Sequence, residues 1–426
     1  MKDRIQSSEQ DQRNGGGASA QDVLNRRSFL KATGAVALLG SAHTKDSPGA
    51  AARCATARAH EPAAQSRSPE LGLAHLACAV RPDFLLGSGG LEFYTRERPI
   101  VEGIFKRDFN IIQTCIHMDQ TQPQSSNSWD FATWKQDEQV EFARSNNIAI
   151  YLHALIYGSC LPDWFKNGAF TALQLEQIMK DRITTILTRY AGKVKYVDVV
   201  NEVLFGVDAT TGNIQWNVWD PWMKMGWYNG KQYQLPKHVV EAFRTARVVG
   251  GGNLELIYND YGNATPNSQK TEAMFEFYNA MKYEGIPIDG VGLEMHMALM
   301  ENGDVVENGD RTKNGTWTPD KFYSLLKRFE TSGIDVHITE FDVHMQQQPP
   351  TAALLSRRAE IFRQVLELAI QSPAVKSFKT WEVGDKYAFP VILGYPATPN
   401  LFDKEYTPKP AYKALARLLE KMARGK

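Results

Sequence analysis

Neither sign of charge dominates this 426-residue chain, in which 48 basic residues balance 48 acidic ones. A surface without net charge sets up no long-range field for nucleic acid or an anionic membrane, so a neutral or weakly charged ligand fits better. Long hydrophobic runs are lacking too: Ala35 to Leu39, in the N-terminal region, is far short of the roughly 20 residues that span a bilayer. Cysteine is scarce. The four, Cys54, Cys78, Cys115 and Cys160, match no zinc-ligand spacing, so no metal is expected. With Cys54 set apart in the N-terminal region, either one disulfide among the other three or buried thiols would satisfy the count. A phosphate-binding glycine loop is also missing, since Gly250-Gly251-Gly252 follows a helical segment and reads as its stop signal.

What the chain does contain, 43% hydrophobic and 23% charged residues, is the composition of a folded protein with a large core. Residues 1–65 stand apart, rich in Ala, Ser, Gly, Arg and Gln without sustained period, and are set aside from the fold. Within them Arg26-Arg27-Ser28-Phe29-Leu30-Lys31 precedes a short apolar stretch, and the small-residue tract Ala50 to Ala59 offers cleavage points. This run is similar to a twin-arginine export signal, which implies a periplasmic or secreted protein, free of the membrane once the signal is removed. Residues 66–426 show no internal repeat, no Pro/Ser linker and no low-complexity tract, so they are read as one domain and, by expectation, a monomer.

That block alternates short aliphatic runs with longer stretches of helical period, the pattern of repeated βα units. Candidate strands are Leu73 to Val80, Asn110 to Thr114, Ala149 to His153, Val194 to Asn201, Leu254 to Asn259, Gly290 to His296, Asp335 to Glu340 and Ser377 to Trp381. Candidate helices include Gln174 to Tyr190, Pro236 to Val249, Gln269 to Glu284 and Ala353 to Gln371. Such a count predicts an α/β fold, a single (β/α)8 TIM barrel with loop insertions. In that architecture chemistry sits where strands end.

Those ends carry His153, Asn201 with Glu202, Asn259 with Tyr261, Glu294 with His296, Glu340 and Trp381. An apolar strand that ends in an acid occurs twice, in YVDVVNE and in VHITE, on the fourth and seventh candidate strands. Two carboxyl groups facing each other across a barrel mouth are what glycoside hydrolysis needs, one to protonate the leaving oxygen and one to attack or stabilise the anomeric carbon. No cofactor is required for this chemistry, and the expected partner is a polysaccharide.

The stretches DVVNE (Asp198 to Glu202), AFRTAR (Ala242 to Arg247), NDY (Asn259 to Tyr261), GVGLEMH (Gly290 to His296), HITEFDV (His337 to Val343), WEVGDKYAF (Trp381 to Phe389) and LFDKEYTPKPAY (Leu401 to Tyr412) agree in order and spacing with one family. The chain resembles glycoside hydrolase family 10, typified by endo-β-1,4-xylanases, over roughly Leu73 to Leu418. The resemblance implies that Glu202 is the general acid/base and Glu340 the nucleophile of a retaining enzyme, whose carboxyls lie about 5 to 5.5 Å apart. It further implies that Asn201 holds the sugar 2-hydroxyl, that His296 and Tyr261 orient Glu340, that His153 binds a hydroxyl and that Trp381 forms an apolar platform. Tyr157, Asn259 and Glu294 complete the candidate substrate-binding set.

Departures from the family pattern gather on the side of the non-reducing sugars. Cys115, Ile116, Met118 and Asp119 stand where Glu-Asn-x-Met-Lys is usual, Tyr157-Gly158 where Trp-His is, Glu294 in place of glutamine and Phe389 in place of tryptophan. Trp216, Trp219, Trp222 and Trp227 crowd one segment after Glu202, where indole rings serve either as sugar platforms or as packing for the insert. Three readings follow: an exported endo-glycosidase acting on xylan, the same chemistry on another glycan such as a bacterial exopolysaccharide, or a non-catalytic carbohydrate-binding protein.

Overall fold

The computed structural model describes residues 71–129, 135–307, 315–345, 349–388 and 398–425. The export signal, Cys54 and Phe389 lie outside them. Eight parallel strands close on themselves: β1 (Leu85–Gly89), β2 (Ile111–Cys115), β3 (Ala149–His153), β4 (Tyr196–Asn201), β5 (Glu255–Asp260), β6 (Gly290–Leu293), β7 (Asp335–Met345) and β8 (Val375–Thr380). Each pairs with its neighbour in chain order. Closure comes from β8 on β1, with Leu85 opposite Ser377 and Ser88 opposite Thr380.

One expected strand is a helix. Leu73–Val80 forms α1, because Leu73, Leu76, Ala77 and Val80 recur at helical spacing and are all buried. The true first strand, LLGSG, is disguised by its glycines. They are there because the barrel leaves no room: a Cβ at Gly87 would sit 2.0 Å from the Ile111 carbonyl oxygen, and one at Gly89 2.0 Å from that of Trp381. The cysteine reading also changes. Cys78 is disulfide-bonded whereas Cys115 and Cys160 form no disulfide, so no bridge joins two of those three.

Helices α2 (Arg98–Asp108), α3 (Lys135–Ser145), α4 (Ala172–Arg189), α5 (Lys237–Gly250), α6 (Gln269–Tyr283), α7 (Pro319–Ser332), α8 (Ala352–Gln371) and α9 (Pro410–Arg424) wrap the barrel. Their apolar faces and the outward strand residues, such as Val197, Val199, Leu256, Val291 and Val336, form one continuous core. Inside the barrel lies a smaller layer, Leu85, Ile111, Tyr151, Tyr196 and Ile257, in which the two tyrosine rings stack at 5.9 Å. Above it the interior turns polar, with Asp198, Thr339, Ser377 and Lys379 fully buried.

Two β-bulges aim side chains into that polar interior. In β4 the pairing with β5 slips by one residue between Asp198 and Val200, so two valines face outward in succession and Asn201 turns in. A similar slip in β7 against β8, between Ile338 and Phe341, lets both Thr339 and Glu340 reach inward. Loops above β2 and β3 are tied to α4 by one buried guanidinium. Arg182 donates to the Leu155 carbonyl (2.7 Å), Thr121 Oγ1 (2.8 Å), Gln122 Oε1 (2.9 Å) and the Ile116 carbonyl. Arg182→Leu strands these acceptors in a dry site and is expected to cost about 3 kcal/mol, measurable as a lowered urea midpoint; an unchanged midpoint would show that water replaces the guanidinium.

Candidate active site

Glu202 and Glu340 end β4 and reach inward from β7 at the same rim, and two amides join them. Asn201 Nδ2 lies 3.4 Å from Glu202 Oε1, Asn259 Nδ2 donates to Asn201 Oδ1 (2.9 Å), and the same Nδ2 lies 3.1 Å from Glu340 Oε1. Asn259 is fixed in turn by Thr339, whose hydroxyl donates to its Oδ1 at 2.7 Å. The amide can lie there only because its neighbour on β6 is a glycine: a Cβ at Gly292 would come within 2.1 Å of Asn259 Oδ1.

Glu202 leaves β4 in the left-handed region, φ +56°, while its N–H donates to the Asn259 carbonyl at 3.0 Å. Such a conformation costs a non-glycine residue on the order of 1 kcal/mol, and it turns the carboxyl over the mouth instead of along the strand. Tyr157, on a short strand paired with β4, donates its hydroxyl to Glu202 Oε1 at 2.7 Å.

Glu340 is completely buried and bonded by Asn259 and His296. His296 Nε2 lies 3.3 Å from Glu340 Oε2 and 3.6 Å from Glu294 Oε2, while its Nδ1 is 3.0 Å from Asp342 Oδ2. Burial opposes the imidazolium form of His296, but the Asp342 and Glu340 carboxylates outweigh it and hold the ring's pKa well above its usual value. Asp342 is held well below the carboxylate range: burial alone would raise it, but His344 and His296 prevail. His153 is anchored through Nδ1 to Asp198 Oδ2 at 2.8 Å, with Tyr151 donating to the other Asp198 oxygen. This fixes the imidazole so that Nε2 turns into the site, 3.6 Å from Glu340 Oε1 and beyond hydrogen-bonding reach. Burial lowers Lys379, beneath this cluster, to about 7 despite the charges of Asp198 and Glu340.

The expected set therefore converges: Glu202, Glu340, Tyr157, Asn201, Asn259, Glu294 and His296 share one bonded network, His153 faces it from its anchor on Asp198, and the half-buried Trp381 ring stands edge-on to His153 (5.6 Å) and His296 (6.3 Å). Tyr261 packs beneath Lys270, whose ammonium lies 3.2 Å from its ring centre. Glu294 is 1% exposed and turned inward, so it does not simply cap its strand end in solvent. Sequence reasoning assigned no role to Asp198, His117, Thr339 or Lys379. A charged residue inside the apolar YVDVV was the available signal for Asp198, whereas His117, whose ring meets His153 at 5.1 Å and Tyr157 at 5.6 Å, gave none.

Two clusters have ligand atoms spaced for a metal ion among the described residues, His296 with Asp342 and His344, and Glu294 with His296 and Glu340. Both depend on His296, which already lies against carboxylates through each ring nitrogen, so an ion would have to displace one of them.

The glycosyl hydrolase family 10 model matches residues 91–418, most of the barrel. The chain belongs to this family. It is 27% identical to endo-1,4-beta-xylanase B of Thermotoga neapolitana over 321 residues, 74% of this chain and 82% of that protein. It is 34% identical to endo-1,4-beta-xylanase B of Neocallimastix patriciarum over 272 residues, 64% of this chain but 27% of that longer protein. Among solved structures, xylanase 10B from Thermotoga petrophila in complex with xylobiose superposes with a TM-score of 0.70 at 27% identity, covering 84% of this chain and all of that one.

The floor beside Trp381 of this family 10 glycoside hydrolase holds two buried carboxyl groups, Glu382 and Glu92. Burial and the nearby charge of Glu92 push Glu382 well above the ordinary glutamate range. Glu92 rises to about 7, chiefly by burial, against the pull of the Gly384 and Val383 N–H groups. A carboxyl raised in the fold favours folding most below its unfolded value near 4.5, and that contribution is lost as pH climbs toward the folded value. Glu382→Gln stays neutral without a proton, so its thermal midpoint should gain on wild type as pH rises above the ordinary glutamate value near 4.5, by roughly 2 °C or more. Parallel midpoint curves over that rise in pH would overturn the assignment.

Proposed function

We propose that this family 10 enzyme is a retaining endo-β-1,4-xylanase that works by double displacement. Glu340 attacks the anomeric carbon and forms a glycosyl ester as the bond to the leaving oxygen breaks, and Glu202 gives that oxygen its proton. Water then enters, Glu202 takes a proton from it, and the hydroxide attacks the same carbon, releasing Glu340 and restoring the original configuration. The observation that carries this reading is the two-amide bridge from Glu202 through Asn201 and Asn259 to Glu340, which ties both carboxyls into one network at the same rim of the barrel. The relatives' xylanase activity and the xylobiose bound in the Thermotoga petrophila structure support xylan as the substrate.

In this scheme His153 and Asn201 hold hydroxyls of the sugar under attack, His296 keeps Glu340 ionised and aimed, and Trp381 lies under the ring. Tyr157 holds Glu202 toward the leaving oxygen. Arg26-Arg27 and the residues after them support action outside the cytoplasm. A second reading, the same chemistry on a different glycan, is favoured by Cys115, Ile116, Met118 and Asp119 at the end of β2, which offer a sugar other groups than the family's usual ones. Product sizing on a panel of purified polysaccharides separates the two: xylan cut to short oligosaccharides supports the first reading, and inert xylan beside another digested glycan supports the second.

Glu340→Ala should abolish turnover of an aryl β-xylobioside, and azide should restore it with the inverted glycosyl azide as product. Restoration by azide without inversion, or undiminished turnover, would remove the nucleophile assignment. Glu202→Ala should cost about 10²- to 10⁴-fold on unactivated xylan and far less on an aryl glycoside that needs no proton. Glu294 and Glu340 share Asn259 and His296, so like-charge repulsion opposes ionisation of the nucleophile. Glu294→Gln relieves it, and the acid limb of the pH–rate profile should move to lower pH by roughly 0.5 to 1 unit; an unmoved limb would mean that Glu294 is neutral in the working enzyme.

A further inference from the structure

The insert after β4 leads away from Glu202 to a pocket that the mechanism leaves without a role. It has a volume of ≈ 790 Å³ and lies between Asp163, Lys166 and Asn167 on one side and Trp219, Asp220 and Lys224 on the other. Its wall hangs on the backbone of the proposed acid. Asn217 N–H donates to the Val203 carbonyl at 2.8 Å, and its Nδ2 lies 3.4 Å from the Glu202 carbonyl oxygen. Asp220 packs on Gly158 so closely that a Cβ there would meet its carboxyl at 2.5 Å, and Gly158 follows Tyr157, the residue bonded to Glu202.

Because Glu202 delivers its proton to the leaving oxygen, surface continuous with it lies on the leaving-group side. The tryptophans of this insert divide in a telling way. Trp222 is fully buried against Phe165, ring centres 4.5 Å apart, and anchors the segment. Trp219, three residues earlier, is 86% exposed at the pocket's edge. Leaving an indole in water forgoes the stabilisation of burying it, so its place there has no packing explanation. An apolar ring face bordered by an amide, two lysines and two carboxyls matches a pyranose, which offers C–H groups on its face and hydroxyls around its rim.

We propose that this pocket is a distal leaving-group subsite, which takes a pyranose of the polysaccharide beyond the sugar that touches Glu202, stacked on Trp219. The proposal rests on the hydrolase reading above. Such a site is filled by a long chain and left empty by a substrate whose leaving group is a single aryl ring. The test compares kcat/KM of the wild-type enzyme, Trp219→Ala and Trp219→Tyr on xylohexaose and on an aryl β-xylobioside. Trp219→Ala should lose roughly three- to tenfold on xylohexaose and nothing on the aryl glycoside, and Trp219→Tyr should keep most of the activity. Equal losses on both substrates would mean that the ring only props up the loop, and no loss on either would mean that no sugar stacks there; each overturns the subsite. Failure of the wild-type enzyme to turn over either substrate would overturn the xylanase reading, and the subsite for a xylan chain with it.

Discussion

The amide of Asn259 is the piece on which the site turns. Its nitrogen faces Asn201, Glu340 and Glu294, its oxygen accepts from Thr339, and its backbone carbonyl receives the Glu202 N–H. One residue thus relates four strands and both catalytic candidates. Its freedom to do so depends on Gly292, because any Cβ there would displace it. A buried polar network of this kind is stable only when every member is answered, and a network so answered has one geometry. The rigidity that the chemistry needs and the hydrogen bonding that burial demands are the same fact seen from two sides.

Much of this was legible before any coordinates. A strand that closes on an acid advertises itself, so Glu202 and Glu340 stood out, and the polar residues at neighbouring strand ends followed from barrel geometry. The bulges were less readable. A doubled valine in YVDVVN looks like a continuous apolar strand, whereas the second valine marks the slip that turns Asn201 inward. The first strand was missed for a related reason: Leu85–Gly89 is selected by crowding against neighbouring backbone, which favours glycine over the β-branched residues by which strands are recognised. Leu73–Val80 deceived in the opposite sense, an apolar run whose helical spacing is plain only once the period of 3.6 is tested against it. His117 came from a loop, where no periodicity places a side chain.

The two halves of the cleft are built differently. On the side of the sugar under attack, the lining comes from strand ends and is buried, bonded and fixed by its neighbours. On the proposed leaving-group side stands the insert after Glu202, carried by short hairpins at Leu204–Val207 with Ile214–Trp216 and at Trp227–Asn229 with Gln234–Pro236. Reaction type is therefore set by the barrel, and reach along a polymer by the loops, the division of labour that this fold permits. Of the motifs shared with the family, DVVNE, NDY and GVGLEMH lie at strand ends and HITEFDV within β7, whereas AFRTAR lies within α5 and LFDKEYTPKPAY leads into α9.

Charge at the centre completes the argument. Glu340, Glu294, Asp342 and Asp198 crowd a volume in which His296 is the firmly cationic group, while burial brings Lys379 close to losing its proton at neutral pH. The site thus gathers more carboxyl groups than basic ones in a buried place. Glycoside cleavage through an oxocarbenium-like transition state supplies the missing positive charge at the anomeric carbon, beside Glu340, and only while the bond is breaking. An environment organised around that charge binds the transition state more strongly than the neutral sugar, and this difference is what lowers the barrier. The same excess makes the proton on Glu202 indispensable: without it the leaving oxygen would depart as an anion into a field that already repels one.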